Sequence, residues 1–565
     1  MGAMTRGNRL WRTRASGLLL AGLLSAGCTQ SPETAPRARQ SPTTSPGDPI
    51  ISAPPGGPAF RTACALPTPI LRRLRRGYYP GRSPEIVVLP RAPNFFGSFS
   101  ATTHSGPWGY LQKVPLVLYG PGFIKAQGDL RLKRQVTLAD LAPTLGKLVG
   151  TRLPQPRPGK VLDEALLPGE RRPRLIIVVV WDGGGWNVLR RWPQAWPELK
   201  GLMAEGTSVR DVLVGSSPSV TPAIHATIGT GSFPKQHGII DIPLRAGDQM
   251  AGSWDRQSPT YLTTRSFADV YDLDTDNQAQ IAMIAEKGWH LGMIGHGAAL
   301  EGADRDIAVM GEAPGKLYTN EDFYDLPAYL QEVPGYEQDL LAVDRRDGRI
   351  DGLWLGHSLS GDAEALRLTP TFTLYQNRLI EELVDREGYG ADSVTDVLFT
   401  NYKQIDLIGH GWNMTAPEEK DALHFSDQAL SGLIRMLDRE VGRHKWVLAV
   451  TADHGQTPLT GDGDAWPIEI NELVRDIAKH FDVSNRMLQE TRPGALWVDL
   501  PYVKEQDIGL EEVAKMLLNY RAGDNAIEGE PLPAQFEGRM NEKVFEAAFP
   551  YEWMPQVWDC ARRKS

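Results

Sequence analysis

The stretch Lys445-Trp446-Val447-Leu448-Ala449-Val450-Thr451-Ala452-Asp453-His454-Gly455 decides the fold. Residues 445–451 read as a buried strand, because a short aliphatic run bounded by polar residues has no face left for water. A carboxylate, an imidazole and a glycine follow it directly. The same pattern occurs twice upstream: Leu175 to Val180 leads into Trp181-Asp182-Gly183-Gly184, and Ser393 to Thr400 is followed by Asp406-Leu407-Ile408-Gly409-His410. Glu85 to Leu89 and Val114 to Tyr119 read as two more strands, while Leu138 to Leu148, Thr371 to Arg386 and Glu418 to Val441 carry apolar residues at helical spacing. Strands alternating with helices predict an α/β fold, a doubly wound and mostly parallel sheet with helices on both faces. In such sheets ligands bind beyond the C-terminal ends of the strands. Asp and His from three strand ends meeting at one edge suit zinc and similar divalent ions, and four to six such ligands predict a two-metal site. Any one of these strand-end aspartates alone would read as a helix cap.

Between the first two of these segments lies Ser216-Ser217-Pro218-Ser219-Val220-Thr221-Pro222-Ala223-Ile224-His225, which runs on through Thr230-Gly231 to Phe233-Pro234-Lys235-Gln236-His237-Gly238-Ile239. A hydroxyl followed by proline fits the first turn of a helix, where the N-terminal dipole favours an anion or alkoxide. Thr221 is therefore the candidate nucleophile, with an N-cap as the plainer reading and Ser219 as a second hydroxyl. His225 and His237 read as structural groups around that helix, and His424 as a surface or core residue.

Together these segments resemble the alkaline phosphatase superfamily, and most closely its type I phosphodiesterase/nucleotide pyrophosphatase branch and the related threonine-dependent phosphatases. The pattern behind the resemblance is Asp182-Gly183, Thr221 four residues before His225, Asp406 four residues before His410, and Asp453-His454-Gly455. The resemblance implies one ion held by Asp182, Thr221, Asp453 and His454. It implies a second held by Asp406, His410 and a further histidine from near the end of the domain. The only histidine after His454 is His480, in a helical context. The segments Pro84 to Leu89, Thr102-Thr103-His104-Ser105-Gly106, Val114 to Gly120 and Val136 to Thr144 resemble the closing part of the family's domain, displaced to the N-terminal side. They imply a circular permutation in which His104 is the seventh ligand; in the competing account residues 60–165 form a separate domain and His480, His296 or His357 is the ligand.

The chemistry so implied is in-line displacement at phosphorus through a covalent phospho-threonine, with two ions about 4 Å apart. Members of the family usually carry an Asn donor where this chain has Ile242; the polar neighbours that could replace it are Trp186, Asn187 and Asp241. Loss of such a donor costs on the order of 3 kcal/mol of transition-state stabilisation. A phosphomonoesterase on the same metals is the nearest rival. A cell-surface binding protein that keeps the fold without turnover is a reading of another class. A sulfatase is disfavoured, since neither Cys nor Ser stands at Thr221.

The N-terminus carries Arg6, Arg9, Arg12 and Arg14, followed by an apolar run from Ala15 to Ala26 that is too short to span a bilayer. Leu24-Ser25-Ala26-Gly27-Cys28 resembles a bacterial lipoprotein signal, with Cys28 lipidated after cleavage; a plain cleaved signal and an uncleaved anchor are the alternatives. Residues 1–28 are thus expected to be a signal and residues 29–60, with eight prolines, a tether. The expected location is exported: a bacterial cell-surface lipoprotein on the outer face of the membrane or in the periplasm, or a secreted protein. In such an oxidising compartment the remaining cysteines, Cys64 and Cys560, are expected to pair, worth roughly 4 to 5 kcal/mol at most; two unrelated buried thiols are the alternative.

The 565 residues are 41% hydrophobic and 23% charged, which excludes a disordered chain, a collagen and a disulfide-stapled miniprotein. A net charge of −9, or −13 once the four arginines before Cys28 are removed, with no long Lys/Arg run, argues against a grip on a nucleic-acid duplex through phosphate neutralisation. The expected partner is a small phosphate ester or nucleotide, with the membrane reached through the lipid anchor. The body, 61–565, is expected to be one catalytic unit: 61–165 the permuted closing segment, 170–242 and 393–565 the rest of the core, and 243–392 an inserted cap.

Overall fold

Leu175–Trp181 is buried along its whole length, and its side chains alternate between two cores. Ile176, Val178 and Val180 enter one apolar cluster, whereas Leu175, Ile177, Val179 and Trp181 enter another. A strand covered on both faces has this signature. The computed structural model describes residues 56–98, 102–361, 363–458, 465–527 and 534–564. Cys28, the expected signal and nearly all of the expected tether lie outside the described residues; the first helix, Pro58–Cys64, begins just inside the span read as tether.

The main sheet has eight strands: β1 (Leu116–Tyr119), β2 (Gly128–Leu130), β3 (Leu175–Trp181), β4 (Thr207–Val209), β5 (Ile281–Ala285), β6 (Ile307–Met310), β7 (Asp396–Tyr402) and β8 (Trp446–Thr451). Their order is β6-β5-β7-β3-β8-β1-β4-β2. The five strands from β6 to β8 are parallel; β1 runs antiparallel to both of its neighbours. Tyr402 pairs with Trp181, and Thr451 with Val180, so β3, β7 and β8 end level with one another. This is the mixed α/β architecture expected, with helices packed on the sheet.

Two expectations change. The run Glu85 to Leu89 is a strand, Ile86–Pro90, but it belongs to a second sheet, antiparallel between Ala495–Val498 and Phe545–Pro550. The span 243–392, read as an inserted cap, is divided, because β5 and β6 within it extend the main sheet. Their short Ala- and Met-containing runs lack the β-branched density that marks β3 as a strand.

The second sheet covers a third core formed from both ends of the body: Ala59, Ala63, Leu71 and Leu74 pack with Phe549, Met554 and Val557. Cys64 and Cys560 are disulfide-bonded there, 496 residues apart in sequence. The described residues contain no helix long and apolar enough to cross a membrane. Replacing both cysteines by serine is expected to destabilise the protein by about 2–4 kcal/mol, read as a lower urea midpoint; an unchanged midpoint would show that the third core alone secures the two ends.

Candidate metal centre

Most of these side chains follow a strand end or ride on a helix, whereas His104 comes from a segment without regular secondary structure. Asp182 directly follows β3. Gly183, at φ +74°, turns the chain so that its N–H donates to Asp453 Oδ1 at 3.0 Å, linking two strand ends. Beyond β7 the chain enters the helix Gln404–Trp412, whose i, i+4 spacing sets Asp406 and His410 on one face. Thr221 is the first residue of the wholly buried helix Thr221–Thr230, with Pro222 in its first turn. That helix lies close to residues 292 and 293, since a Cβ on Gly229 would come within 2.1 Å of the Gly292 carbonyl.

Among the described residues three groups of ligand spacing adjoin here: one joins Asp182 to His225 and His290, and the other two share Asp406. In one, Asp406 Oδ1 is 3.5 Å from His104 Nε2 and 3.4 Å from His410 Nε2. In the other, His454 Nε2 is 3.2 Å from Asp453 Oδ2, 3.5 Å from Asp182 Oδ1 and 3.9 Å from Asp406 Oδ1. Ligands about 2.1 Å from a tetrahedral ion stand roughly 3.4 Å apart, so the spacings suit zinc-sized coordination. Asp406 Oδ1, Asp453 Oδ2 and His454 Nε2 are buried with no hydrogen-bond partner, a costly arrangement for polar atoms unless a cation joins them.

The histidines are oriented for this. His104 Nδ1 faces the Ser219 carbonyl at 2.9 Å, His410 Nδ1 the Thr102 carbonyl at 2.7 Å, and His454 Nδ1 the Gly455 carbonyl at 3.1 Å. A ring nitrogen facing a carbonyl carries a proton, so in each ring Nε2 is the atom turned into the centre and the one that could bind an ion. The rings of His104 and His454 are stacked, their centroids 3.5 Å apart.

All seven expected ligands are thus brought to one edge of the sheet. Ser219 is occupied otherwise: its hydroxyl donates to the His104 carbonyl at 2.8 Å and so helps to hold that histidine. His225 has its Nδ1 on the Thr221 carbonyl and its Nε2 at 2.9 Å from Asn401 Nδ2, and His237 is tied to Thr227 and the backbone of Ile239. His296 is paired with Asp269 and His357 with Glu418, away from the centre. Asn187 is bonded to the Gln456 carbonyl, and burial pushes Asp241 up to about 7. A further acidic group, Asp272 with Asp304 and Asp306, lies near the N-terminal end of β6, at the opposite edge.

Three residues of the centre escaped the sequence reading. His290 Nε2 lies 3.4 Å from Asp182 Oδ2, and Asn401 Nδ2 donates to the same oxygen at 3.0 Å. The third is Lys403, 1% exposed, whose Nζ stands 2.6 Å from Asp406 Oδ2, 3.0 Å from Asp182 Oδ1 and 3.3 Å from Thr221 Oγ1. Its position directly after β7 and three residues before Asp406 was the available signal. Burial alone would raise Asp406; the Lys403 ammonium and His410 outweigh it and hold that carboxyl well below its ordinary range. Burial and the neighbouring Asp182 push Asp453 the other way, to about 7.

The sequence profile described as "Type I phosphodiesterase / nucleotide pyrophosphatase" matches residues 176–546, well over half of the chain. The chain belongs to this family. Among curated proteins it is similar to the alkaline phosphatase PafA of Elizabethkingia meningoseptica, 24% identical over 355 residues (55% of this chain, 65% of the relative). It is also similar to the alkaline phosphatase PhoV of Synechococcus elongatus, 22% identical over 346 residues (51% and 60%). The matches span less than two thirds of these relatives. The crystal structure of wild-type alkaline phosphatase PafA shares the fold, with a TM-score of 0.50 and 17% identity over 67% of this chain and 85% of that one. The span matched by the profile contains most of these Asp/His groups, whose donor atoms are spaced so that they could hold divalent metal ions.

His104→Ala is expected to weaken metal binding at the His104/Asp406/His410 cluster by more than about 100-fold, measured as metal retained at graded free zinc. Unchanged retention would remove His104 from the ligand set.

Proposed function

We propose that the protein hydrolyses phosphate esters, as a phosphodiesterase or nucleotide pyrophosphatase, through a covalent phospho-threonine on Thr221. The observation that carries this reading is the Thr221 hydroxyl, buried at a helix N-terminus and 3.3 Å from an ammonium that itself contacts Asp182 and Asp406. Zinc suits the Asp/His donor set, and two clusters offer places for two ions; when bound they supply Lewis-acid polarisation of phosphoryl oxygens and lower the pKa of a coordinated hydroxyl or water. Thr221 Oγ1 gives its proton to solvent water and attacks phosphorus in line, forming one P–O bond as the bond to the leaving alcohol or nucleotide oxygen breaks, and water supplies a proton to that leaving oxygen. The helix dipole favours the alkoxide by about 0.3–1 kcal/mol. Water then attacks the phospho-threonine from the vacated side, releasing phosphate or a monoester and restoring the hydroxyl. His225, on the Thr221 carbonyl, and Ser219, on the His104 carbonyl, hold the nucleophile and the histidine cluster in fixed relation.

The family profile favours diesters or nucleotide pyrophosphates as substrates. The names of the relatives PafA and PhoV favour a second reading, an alkaline phosphatase acting on monoesters at the same site. A circularly permuted chain is supported by the profile's beginning at residue 176 while His104, well before it, stands beside Asp406. Export and lipidation at Cys28 are supported by the N-terminal sequence pattern, and an oxidising compartment by the Cys64–Cys560 disulfide.

Metal-loaded wild type is expected to cleave bis-p-nitrophenyl phosphate at least about tenfold faster than the monoester, and Thr221→Ala to lose more than about 10³-fold of that rate. A preference for the monoester would make the protein a phosphatase. Failure on both substrates with metal bound would favour a binding protein that keeps the fold without turnover.

A further inference from the structure

The ammonium of Lys403 lies where the nucleophile and two of the ligand carboxylates meet. Asp182 Oδ1, Asp406 Oδ2 and Thr221 Oγ1 surround it at 3.0, 2.6 and 3.3 Å, and its side chain is buried. The two clusters are therefore not equivalent. The donor atoms of the first, His104 Nε2, His410 Nε2 and Asp406 Oδ1, face one another with no protein cation between them; Lys403 uses the other oxygen of Asp406. The second draws on Asp182 Oδ1, the oxygen on which Lys403 rests. An ion bound there at about 2.1 Å would lie no more than about 5 Å from the ammonium.

We propose that Lys403 is a built-in cation on the threonine side of the centre, so that the protein binds one divalent ion tightly, at His104/Asp406/His410, and a second only weakly, where Asp182 and His454, with Asp453 beside them, share Asp406. Charge balance favours this arrangement: Asp182, Asp406 and Asp453 are neutralised by one divalent ion together with one ammonium. A second divalent ion adds two positive charges next to a fixed one in a buried site, where such repulsion is poorly screened. The ammonium keeps Asp182 and Thr221 in place when the second ion is absent, and its hydrogen bond to Thr221 Oγ1 stabilises the developing alkoxide. The inference deepens the reading of this centre as that of a phosphate-ester hydrolase, but it concerns ion binding and does not depend on turnover.

The test is titration of the chelator-stripped full chain with Zn²⁺, by calorimetry and by metal analysis after equilibrium dialysis. Wild type is expected to take one tight equivalent and a second at least about 100-fold weaker. Lys403→Met, of similar length and uncharged, is expected to bind the second equivalent about 100-fold more tightly. Two wild-type equivalents of equal affinity would overturn the proposal, and so would a second affinity unmoved in a folded Lys403→Met chain. If that variant does not fold, the wild-type titration decides by itself. One tight and one weak ion in a chain inert toward both esters would uphold the built-in cation and refute the hydrolase reading.

Discussion

Three carboxylates, Asp182, Asp406 and Asp453, are buried together at the C-terminal edge of one sheet, and the need to neutralise them governs the surrounding structure. Two such charges 4 Å apart repel by about 4 kcal/mol at an effective dielectric constant of 20, and neither can reach water. The chain meets this with one ammonium inside the cluster and with histidine nitrogens that complete cation sites. A buried group of this kind contributes little to stability and is kept for the chemistry it permits.

The scaffold makes the crowding possible. Parallel strands ending in register bring β3, β7 and β8 to a common level, and apolar clusters on both faces fix the sheet so that its edge cannot relax. Backbone carbonyls then orient the imidazoles. The long-range link is the segment around His104: it reaches the centre because its neighbouring strands, Ile86–Pro90 and β1, pair with strands from the far end of the sequence. The Cys64–Cys560 disulfide secures the same union of the two ends.

Much of this was legible along the chain. Asp182 and Asp453 stand just after aliphatic runs that read as buried strands, Asp406 a few residues beyond a third strand, and the Asp406/His410 spacing needs nothing beyond helical periodicity. Strands β5 and β6 were less legible, because Ile281-Ala282-Met283-Ile284-Ala285 and Ile307-Ala308-Val309-Met310 are as compatible with helix as with strand until the sheet offers β5 the edge of β7. Lys403 was missed for a physical reason: lysine is ordinarily solvated, and only the convergence of carboxylates from different strands makes its burial tolerable.

The fold class, the strand ends that carry acidic groups and the candidate nucleophile can be read along the chain, since each follows from local periodicity and from residues next to one another. The packing of whole strands added that His104 stands with Asp406 and His410, that the Ser219 hydroxyl donates to the His104 carbonyl, and that an ammonium lies between Asp182, Asp406 and Thr221. Those relations join residues up to 306 positions apart, as from His104 to His410, and distance in space between such groups is set by how whole strands pair, which no local pattern records.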